Sequence, residues 1–288
     1  MWKNKVENMI RMRQNGKKFT DSNDAVVGVF VAILLIGLIF AVIAMVQTVY
    51  VPTWMEQKEA EHMDAVANQF SQLKFAIDTQ AINHAQNIPL STSITLGSKE
   101  LPFLTSSRAF GSLEILSNAY KVTITNDTES FSYPLGIVRY SSTNAYFLDQ
   151  SYIYENGALI LSQFPGSVMS VQPAFSVVDN TDLSFTIIDI LEIGGKTSAS
   201  GYGTYPVQTK FLHADPPLVI TDVENITIDT SYQNAWHIFL DTVLTRSKLE
   251  FNIITDAPEG ITVTFPDKPN LVLNVIGINA QIAPGWVE

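Results

Sequence analysis

The sequence contains no cysteine. This absence excludes a disulfide framework, thiolate chemistry and cysteine-ligated zinc or iron–sulfur sites. Any folded domain in the chain must therefore be stabilised by packing and hydrogen bonding. With 288 residues, of which 46% are hydrophobic, the chain is long and apolar enough to build a core.

Positive charge is scarce beyond residue 50, where eleven Lys or Arg stand against twenty-five Asp or Glu, a formal charge of −14. Such an acidic surface repels phosphate backbones, so we expect no nucleic-acid partner. The same charge favours solubility in salt and contact with divalent cations. Residues 1–24 differ, because they contain six basic residues and only three acidic ones.

The sequence also lacks the residue patterns of nucleotide binding and nucleophilic catalysis. Gly195, Lys196 and Thr197 have the order that ends a phosphate-binding loop, but the required glycine five residues before Gly195 is Ile190. No Gly-x-Ser-x-Gly occurs. We therefore expect a protein that is not an enzyme and that uses no cofactor.

The histidines and acids suggest no metal site. Glu59 and His62 form a Glu-x-x-His pair, but a di-iron site needs two such pairs and two further glutamates, so the pattern favours a solvated helix face. Asp179 and Asp182 resemble an ordinary turn, because a calcium loop would add a glycine and a terminal glutamate. We expect all four histidines to be polar surface or helix residues: His62, His84, His213 and His237.

A long uncharged run, Ala25 to Tyr50, is the strongest feature that the sequence does contain. Its 26 residues would form roughly 39 Å of helix, enough to cross a bilayer. A secretory signal would be shorter and would end in small residues, which the stretch from Gln47 to Trp54 lacks. The run predicts a transmembrane anchor, with Val29, Leu34, Leu38 and Val42 among its lipid-facing side chains.

The charge on either side of this run predicts its orientation. Basic residues precede the run and acids follow it, so residues 1–24 would be a basic cytoplasmic leader and the chain beyond residue 50 would lie outside the cell. Tyr50 and Trp54 would sit in the aromatic belt at the membrane exit, and Pro52 would bend or interrupt the helix there. The first predicted partner is therefore a lipid bilayer.

Residues 51–87 are predicted to form an amphipathic stalk helix, clearest from Met55 to Gln86 and ending near Pro89. An apolar stripe follows the spacing of heptad a and d positions. Two outcomes remain open, because the stripe could pack on copies of itself or on the chain's own β domain. Its members are Met63, Val66, Phe70, Leu73 and Ile77.

Residues 88–288 are predicted to form an extracellular antiparallel β-sandwich, because short β-branched and apolar runs alternate with turn residues. The fold class is thus mainly β with an N-terminal helix. About fourteen strands are expected: Ser93–Leu96, Lys121–Thr125, Gly136–Arg139, Ser151–Tyr154, Ala158–Ser162, Ser167–Val171, Ala174–Val178, Ser184–Leu191, Val207–Leu212, Leu218–Ile220, Ile226–Ile228, Leu249–Ile254, Ile261–Phe265 and Leu271–Ile276.

Two segments of this predicted domain depart from the strand pattern. Ser231 to Thr245 has an apolar helical face with Asn234 as a candidate N-cap, so one helix should pack on the sandwich. The glycine- and serine-rich stretch Gly194 to Thr204 is predicted to be a mobile loop. It would either divide the domain into two lobes near residues 194–204 or lie within one continuous sandwich.

Two N-glycosylation sequons lie in the predicted extracellular part. They begin at Asn126 and Asn225. Each is a candidate modification site if the chain is exported.

A basic leader, the run AVVGVFVAILLIGLIFAVIAMV and an outward β-rich domain together resemble archaeal type IV pilin-like proteins. In that family a peptidase cuts before the hydrophobic helix, and the mature helices bundle in a filament. The resemblance implies a cut before Ala25, between Asp24 and Ala25, or before Phe19, between Lys18 and Phe19. It also implies that copies of the chain meet through the N-terminal helix.

Segments beyond the apolar run are similar to a family of uncharacterised archaeal membrane-anchored surface proteins. These segments are VPTWMEQKEAEHMDAVANQFSQLKFAID, STSITLG and YENGALILSQFPGSVMSVQPAF. This resemblance implies an architecture and a location at the cell surface, without an activity.

The leading functional hypothesis is a structural or adhesive surface protein that meets other envelope proteins or glycans. The alternative is an anchored ectodomain that binds a glycan or a peptide in a groove. Aromatic strand residues could line such a groove, although they are more often core residues: Tyr140, Tyr146, Tyr152, Tyr154 and Tyr202.

Overall fold

The computed structural model describes residues 23–84, 88–98, 109–179, 181–256 and 260–282. Three helices are present in these residues: α1 (Asn23–Met45), α2 (Val51–Asn83) and α3 (Gln233–Thr245), with a π-helical turn (Val46–Tyr50) between the first two. The strands are β1 (Leu90–Thr95), β2 (Phe110–Asn126), β3 (Ser130–Thr143), β4 (Ser151–Glu155), β5 (Ala158–Gln163), β6 (Gly166–Val171), β7 (Phe175–Val178), β8 (Asp182–Glu192), β9 (Ser198–Gly201), β10 (Thr204–Ala214), β11 (Leu218–Ile220), β12 (Val223–Asp229), β13 (Asn252–Asp256), β14 (Gly260–Thr264) and β15 (Leu271–Ile282). The predicted fold class, a long N-terminal helix followed by a mainly β domain with one further helix, is confirmed.

The chain divides into two compact units, Met1–Pro52 and Thr53–Glu288. In the first unit α1 is apolar on every side, and its most hydrophobic window has a mean hydropathy of 3.3 with none of it buried. The helix is thus long and apolar enough to cross a membrane.

The predicted interruption near Pro52 takes the form of the π-helical turn. Proline lacks an N–H and its ring clashes with the carbonyl four residues earlier, which here belongs to Thr48. The backbone widens just before this point, and the Val51 N–H donates to the Val46 carbonyl. A π-helical turn is one of the ordinary ways in which a helix accommodates such a residue.

In the second unit α2 packs its apolar stripe against strands of the β domain. Met63, Val66, Phe70, Leu73 and Ile77 are each at most 2% exposed. Their neighbours in this core come from β1, β2, β3, β4, β5, β8, β9, β10 and β15. Of the two outcomes that the heptad spacing left open, packing on the chain's own domain is the one observed.

The strands form two sheets. The first has the order β1-β10-β15-β8-β7, with β11 also on β15, and the second has the order β13-β14-β12-β2-β3-β4-β5-β6, with β9 also on β2. All these pairings are antiparallel except that of β8 with β15. This parallel pair departs from the predicted antiparallel sandwich. It is possible because the connection between the two strands is long enough for a crossover.

Two hydrophobic cores share the central strands. One core lies between the apolar stripe of α2 and the strands. The other contains Trp236, Phe239 and Leu240 of α3. The hairpin of β4 and β5 is buried on both faces, since Tyr154 contributes to the α2 core and Ile153 to the α3 core. This hairpin therefore packs into both cores, as β2, β3, β8 and β15 also do.

The predicted N-cap of α3 is wrong. The helix begins at Gln233 with Tyr232 as its N-cap, without a side-chain capping bond, and the Asn234 amide instead donates to the Ser167 carbonyl at 3.4 Å. Thr230 Oγ1 accepts the Tyr232 N–H at 3.1 Å, so this hydroxyl organises the turn before the helix.

The glycine-rich stretch is not the mobile loop that its composition predicts. Ser198–Gly201 forms β9, which pairs with β2 in the second sheet. Lys196 O accepts the backbone N–H of Ile282 in the first sheet at 2.7 Å. These hydrogen bonds join backbone atoms only, so a segment with small side chains can form them as well as any other. The stretch therefore connects the two sheets, and the whole domain is one compact unit.

Candidate functional site

The side chains predicted to face lipid are all exposed on α1. Val29, Leu34, Leu38 and Val42 are 59%, 72%, 60% and 54% exposed. A surface this apolar is stable only against lipid or against other apolar surfaces.

Two of the residues beside the predicted cleavage sites fall within α1. Asp24 and Ala25 lie in its first turn. Lys18 and Phe19, like the rest of the predicted leader up to residue 22, lie outside the described residues.

Glu59 is fully buried, which contradicts the predicted solvated helix face. Its carboxylate accepts three backbone N–H groups from the loop between β3 and β4: Ala145 at 3.0 Å, Tyr146 at 2.7 Å and Phe147 at 2.7 Å. Charge-assisted bonds of this kind are roughly twice as strong as neutral ones. Glu59 therefore clamps the loop to the first turns of α2.

His62, one turn further along α2, is a helix residue as expected, but it is also buried, so the predicted solvated helix face is wrong for this residue too. Its Nε2 lies 3.1 Å from Tyr140 Oη, which donates its own proton to Leu96 O at 2.9 Å. With that proton committed, the His62 Nε2–H is the donor to Tyr140. Burial lowers the pKa of His62 and so favours this neutral form.

Two glutamines fasten α2 further along its length. Gln69 exchanges hydrogen bonds with Thr95 on the edge strand β1, at 2.9 Å from the backbone N–H and 3.3 Å to the hydroxyl. Gln80, 1% exposed, donates to Thr209 O on β10 at 2.9 Å. Polar contacts therefore fix the register of the helix on the sheet, while the apolar stripe supplies the buried area.

A second buried carboxyl lies under α3 and was not singled out from the sequence. Glu155 accepts hydrogen bonds from Trp236 Nε1 at 2.6 Å and Thr230 Oγ1 at 2.8 Å. Burial raises its pKa to about 7, although both hydrogen bonds act in the opposite direction. At 1% exposure it is beyond the reach of a substrate, so its role is structural. The sequence contains no sign of this burial, because Glu155 precedes Asn156 and Gly157, two residue types that are typical of hairpin turns at a surface.

A groove lies beside the C-terminal half of α2 and encloses a cavity of about 420 Å³. Its apolar part includes Ile188 and Ile276. Its polar rim includes the ion pair of Lys74 with Asp78, 2.6 Å apart, and Asn274. A cavity with an apolar wall and a few polar groups is the usual form of a small-ligand site. It differs from the predicted aromatic groove, because Tyr140, Tyr152 and Tyr154 lie in the core around α2.

The two sequons lie on neighbouring strands. Asn126 ends β2, and its Oδ1 accepts from the Thr128 and Glu129 backbones at 3.0 and 2.7 Å. Asn225 lies inside β12, which pairs with β2 on one side and β14 on the other. Of the two, Asn126 has the turn position typical of glycosylation acceptors.

Among the described residues no group of three or more His, Asp or Glu side chains has the arrangement of a metal site. Asp182 instead accepts a hydrogen bond from the Asn270 amide at 3.2 Å. His213 is half exposed, 3.8 Å from Asp215. His84 stacks on Phe211 with ring centroids 5.3 Å apart.

These features define a class of protein: a two-sheet β domain fastened to the second half of a long helical segment whose first half is apolar and exposed. Residues 25–281 match a family described as a family of unknown function, DUF7289, so the chain belongs to that family. No curated protein matches the chain, and no solved structure matches it.

Proposed function

We propose that this protein is a non-enzymatic cell-surface protein that α1 anchors in the membrane, with a structural or adhesive role for the β domain. The N-terminus lies in the cytoplasm and the β domain outside the cell. The observation that carries the proposal is the fully exposed apolar surface of α1, next in the chain to a helix whose own apolar stripe is buried.

The contrast between the helices supports an anchor rather than a core helix. A core helix of a soluble domain has its apolar side chains covered, as α2 does. On α1 and the π-helical turn after it, every described side chain from Val26 to Tyr50 is at least partly exposed, with no polar face that water could solvate. The acidic surface of the domain suits cations, glycans or neighbouring envelope proteins as partners.

Within this proposal α1 has two candidate environments, a bilayer or a bundle of copies of itself as in a pilin-like filament. The apolar stripe of α2 is already buried against the β domain. A helical bundle of several copies would therefore have to form through α1. The native N-terminus distinguishes the two. Mass spectrometry that finds a start at Phe19 or Ala25 supports the filament form, whereas an intact Met1 supports the solitary anchored form.

Protease treatment of intact cells tests the location. We expect cleavage of the domain from Thr53 onward in intact cells, with α1 recovered in the membrane fraction. A full-length chain that remains soluble and monomeric without detergent would refute the anchor. A domain that stays protected until the cells are lysed would refute the orientation.

The groove beside α2 favours a second candidate function, the binding of a glycan or a peptide. A library of glycans and peptides should be screened against the full chain in detergent micelles. Ala174 lines the groove and is exposed, so Ala174→Trp should abolish a true groove interaction. Ser130→Trp, at an exposed position of β3 away from the groove lining, is the matched control.

A further inference from the structure

Four large apolar side chains are exposed at one end of the β domain. Phe164 is 97% exposed, Leu148 57%, Trp54 44% and Tyr146 36%. We call this set the apolar rim. A single exposed apolar side chain is ordinary on a protein surface, but several large ones at the same end of a domain indicate a contact surface.

Hydrogen bonds and strand register bring the rim together. The clamp by Glu59 holds the backbone of Tyr146 and its neighbours against the beginning of α2. The same loop leads into β4, whose first residue pairs with Ser162 of β5, two residues before Phe164. The Gln150 side chain also donates to Gln163 Oε1 at 2.9 Å, which ties the loop to the β5–β6 turn.

This end of the domain is also the end at which the chain enters it, because the unit that contains the β domain begins at Thr53. Trp54 lies in the first turn of α2, four residues after Tyr50, the last residue of the uncharged run. Glu59 is five residues beyond Trp54, which is roughly 7.5 Å along a helix axis. The clamped loop therefore lies within about one and a half helical turns of Trp54, near the start of the β-domain unit.

The chemistry of the rim suits the interface of a bilayer better than a protein partner. Trp and Tyr concentrate at the boundary between headgroups and acyl chains, where a ring meets lipid and its polar atom meets water. The acidic side chain in the loop, Asp149, is engaged locally, because its Oδ1 accepts the Asn144 N–H at 2.6 Å. The rim thus combines three aromatic side chains with one aliphatic side chain, and the exposed carboxylates beside it are those of Asp149 and Glu56.

We propose that the apolar rim docks on the interfacial layer of the same bilayer that holds α1, so that the β domain rests on the membrane. This inference rests on the proposed anchoring function, from which its test is separable. The rim would act as a second contact with the membrane, in addition to the anchor that α1 provides.

The absence of native cysteine permits a direct test with single labelled sites in the full chain, reconstituted in phosphatidylcholine vesicles. Leu148→Cys and Phe164→Cys report on the rim, and Leu38→Cys reports on α1. Ile82→Cys is the matched control, because Ile82 is 79% exposed but lies near the far end of α2. Each cysteine is labelled with an environment-sensitive fluorophore. Quenching of its fluorescence is measured with spin-labelled lipid, which reports contact with the bilayer, and with iodide, which reports contact with water.

We expect lipid quenching at Leu148→Cys and Phe164→Cys to be several-fold stronger than at Ile82→Cys, which iodide alone should quench. If both rim labels behave like the Ile82→Cys label while Leu38→Cys is quenched by lipid, the docking proposal is wrong and the anchor stands. If the Leu38→Cys label is not quenched by lipid, the anchoring function itself is refuted.

Discussion

The helices α1 and α2 follow one another in the chain, yet their apolar side chains have opposite environments. On α1 Leu34 is 72% exposed, whereas on α2 Leu73 is completely buried. α1 has the higher hydropathy, so hydrophobicity alone does not determine which helix the β domain covers. The periodicity of α2 explains the difference, because its buried apolar residues form one stripe while most of its other residues are polar.

The largest expected effect comes from removing α2 from the domain. A fragment of residues 53–288 should fold, whereas a fragment of residues 88–288 should not, because it exposes the strand residues that the stripe covers. Circular dichroism in the near ultraviolet and urea titration would measure this. Cooperative unfolding of the shorter fragment would show that the β domain folds without α2, which would contradict the role assigned to the buried stripe.

A pair of phenylalanines on α2 tests the same contrast within one helix. Phe70 is fully buried, so Phe70→Ala should lower the free energy of unfolding by about 3 to 5 kcal/mol. Phe75 is 73% exposed, so Phe75→Ala should change it by less than about 0.5 kcal/mol. Urea unfolding of the fragment 53–288 provides the measurement. Equal losses for the two variants would contradict the observed packing.

The buried carboxyl under α3 extends the comparison to the third helix. The pKa of Glu155 rises from an ordinary value of 4.5 to about 7 in the folded protein, so the folded state holds this proton more tightly than the unfolded state. The contribution of Glu155 to the free energy of unfolding should therefore be greatest below pH 4.5. It should decrease as the pH rises to about 7. The total loss is about 3 kcal/mol.

The control for this pH dependence is Glu155→Gln, which keeps an oxygen for Trp236 and Thr230 but does not titrate. The difference in unfolding free energy between the wild-type chain and the variant should change by about 3 kcal/mol between pH 4 and pH 8. A difference that stays constant over this range would show that Glu155 does not take up a proton on folding.

The smallest expected effect concerns the polar clamp at the start of α2. Glu59→Ala should cost about 2 kcal/mol, because three backbone donors lose a charged acceptor but the loop remains close to water. Limited proteolysis should also begin within residues 144–150. Glu56→Ala, at an exposed position of the same helix, should leave both readouts unchanged.

The strands were largely predictable, since each of the fourteen expected runs overlaps an observed strand. The short strand β9 was missed, because SASG has neither β-branched residues nor an apolar alternation. The length of β2 was also underestimated. It begins at Phe110, eleven residues before the predicted start, and it contains a register shift between Leu116 and Tyr120 that disrupts the alternation.

The candidate sites were less predictable than the strands. Glu59, His62 and Glu155 are polar residues. A polar residue in a sequence is predicted to be exposed to water unless a buried partner for it is known. Their partners lie between 75 and 88 residues away in the chain. No local pattern connects residues at such separations, so burial of these groups becomes visible only in the folded chain.

The spacing of neighbouring residues was enough to predict the long exposed helix, the helix with an apolar stripe and the runs that become strands. What the stripe packs against, which carboxyls are buried and which hydrophobic side chains gather at one end of the domain became visible only in the folded chain. These outcomes depend on how distant segments compete for the same buried surface. Local spacing carries no information about that competition.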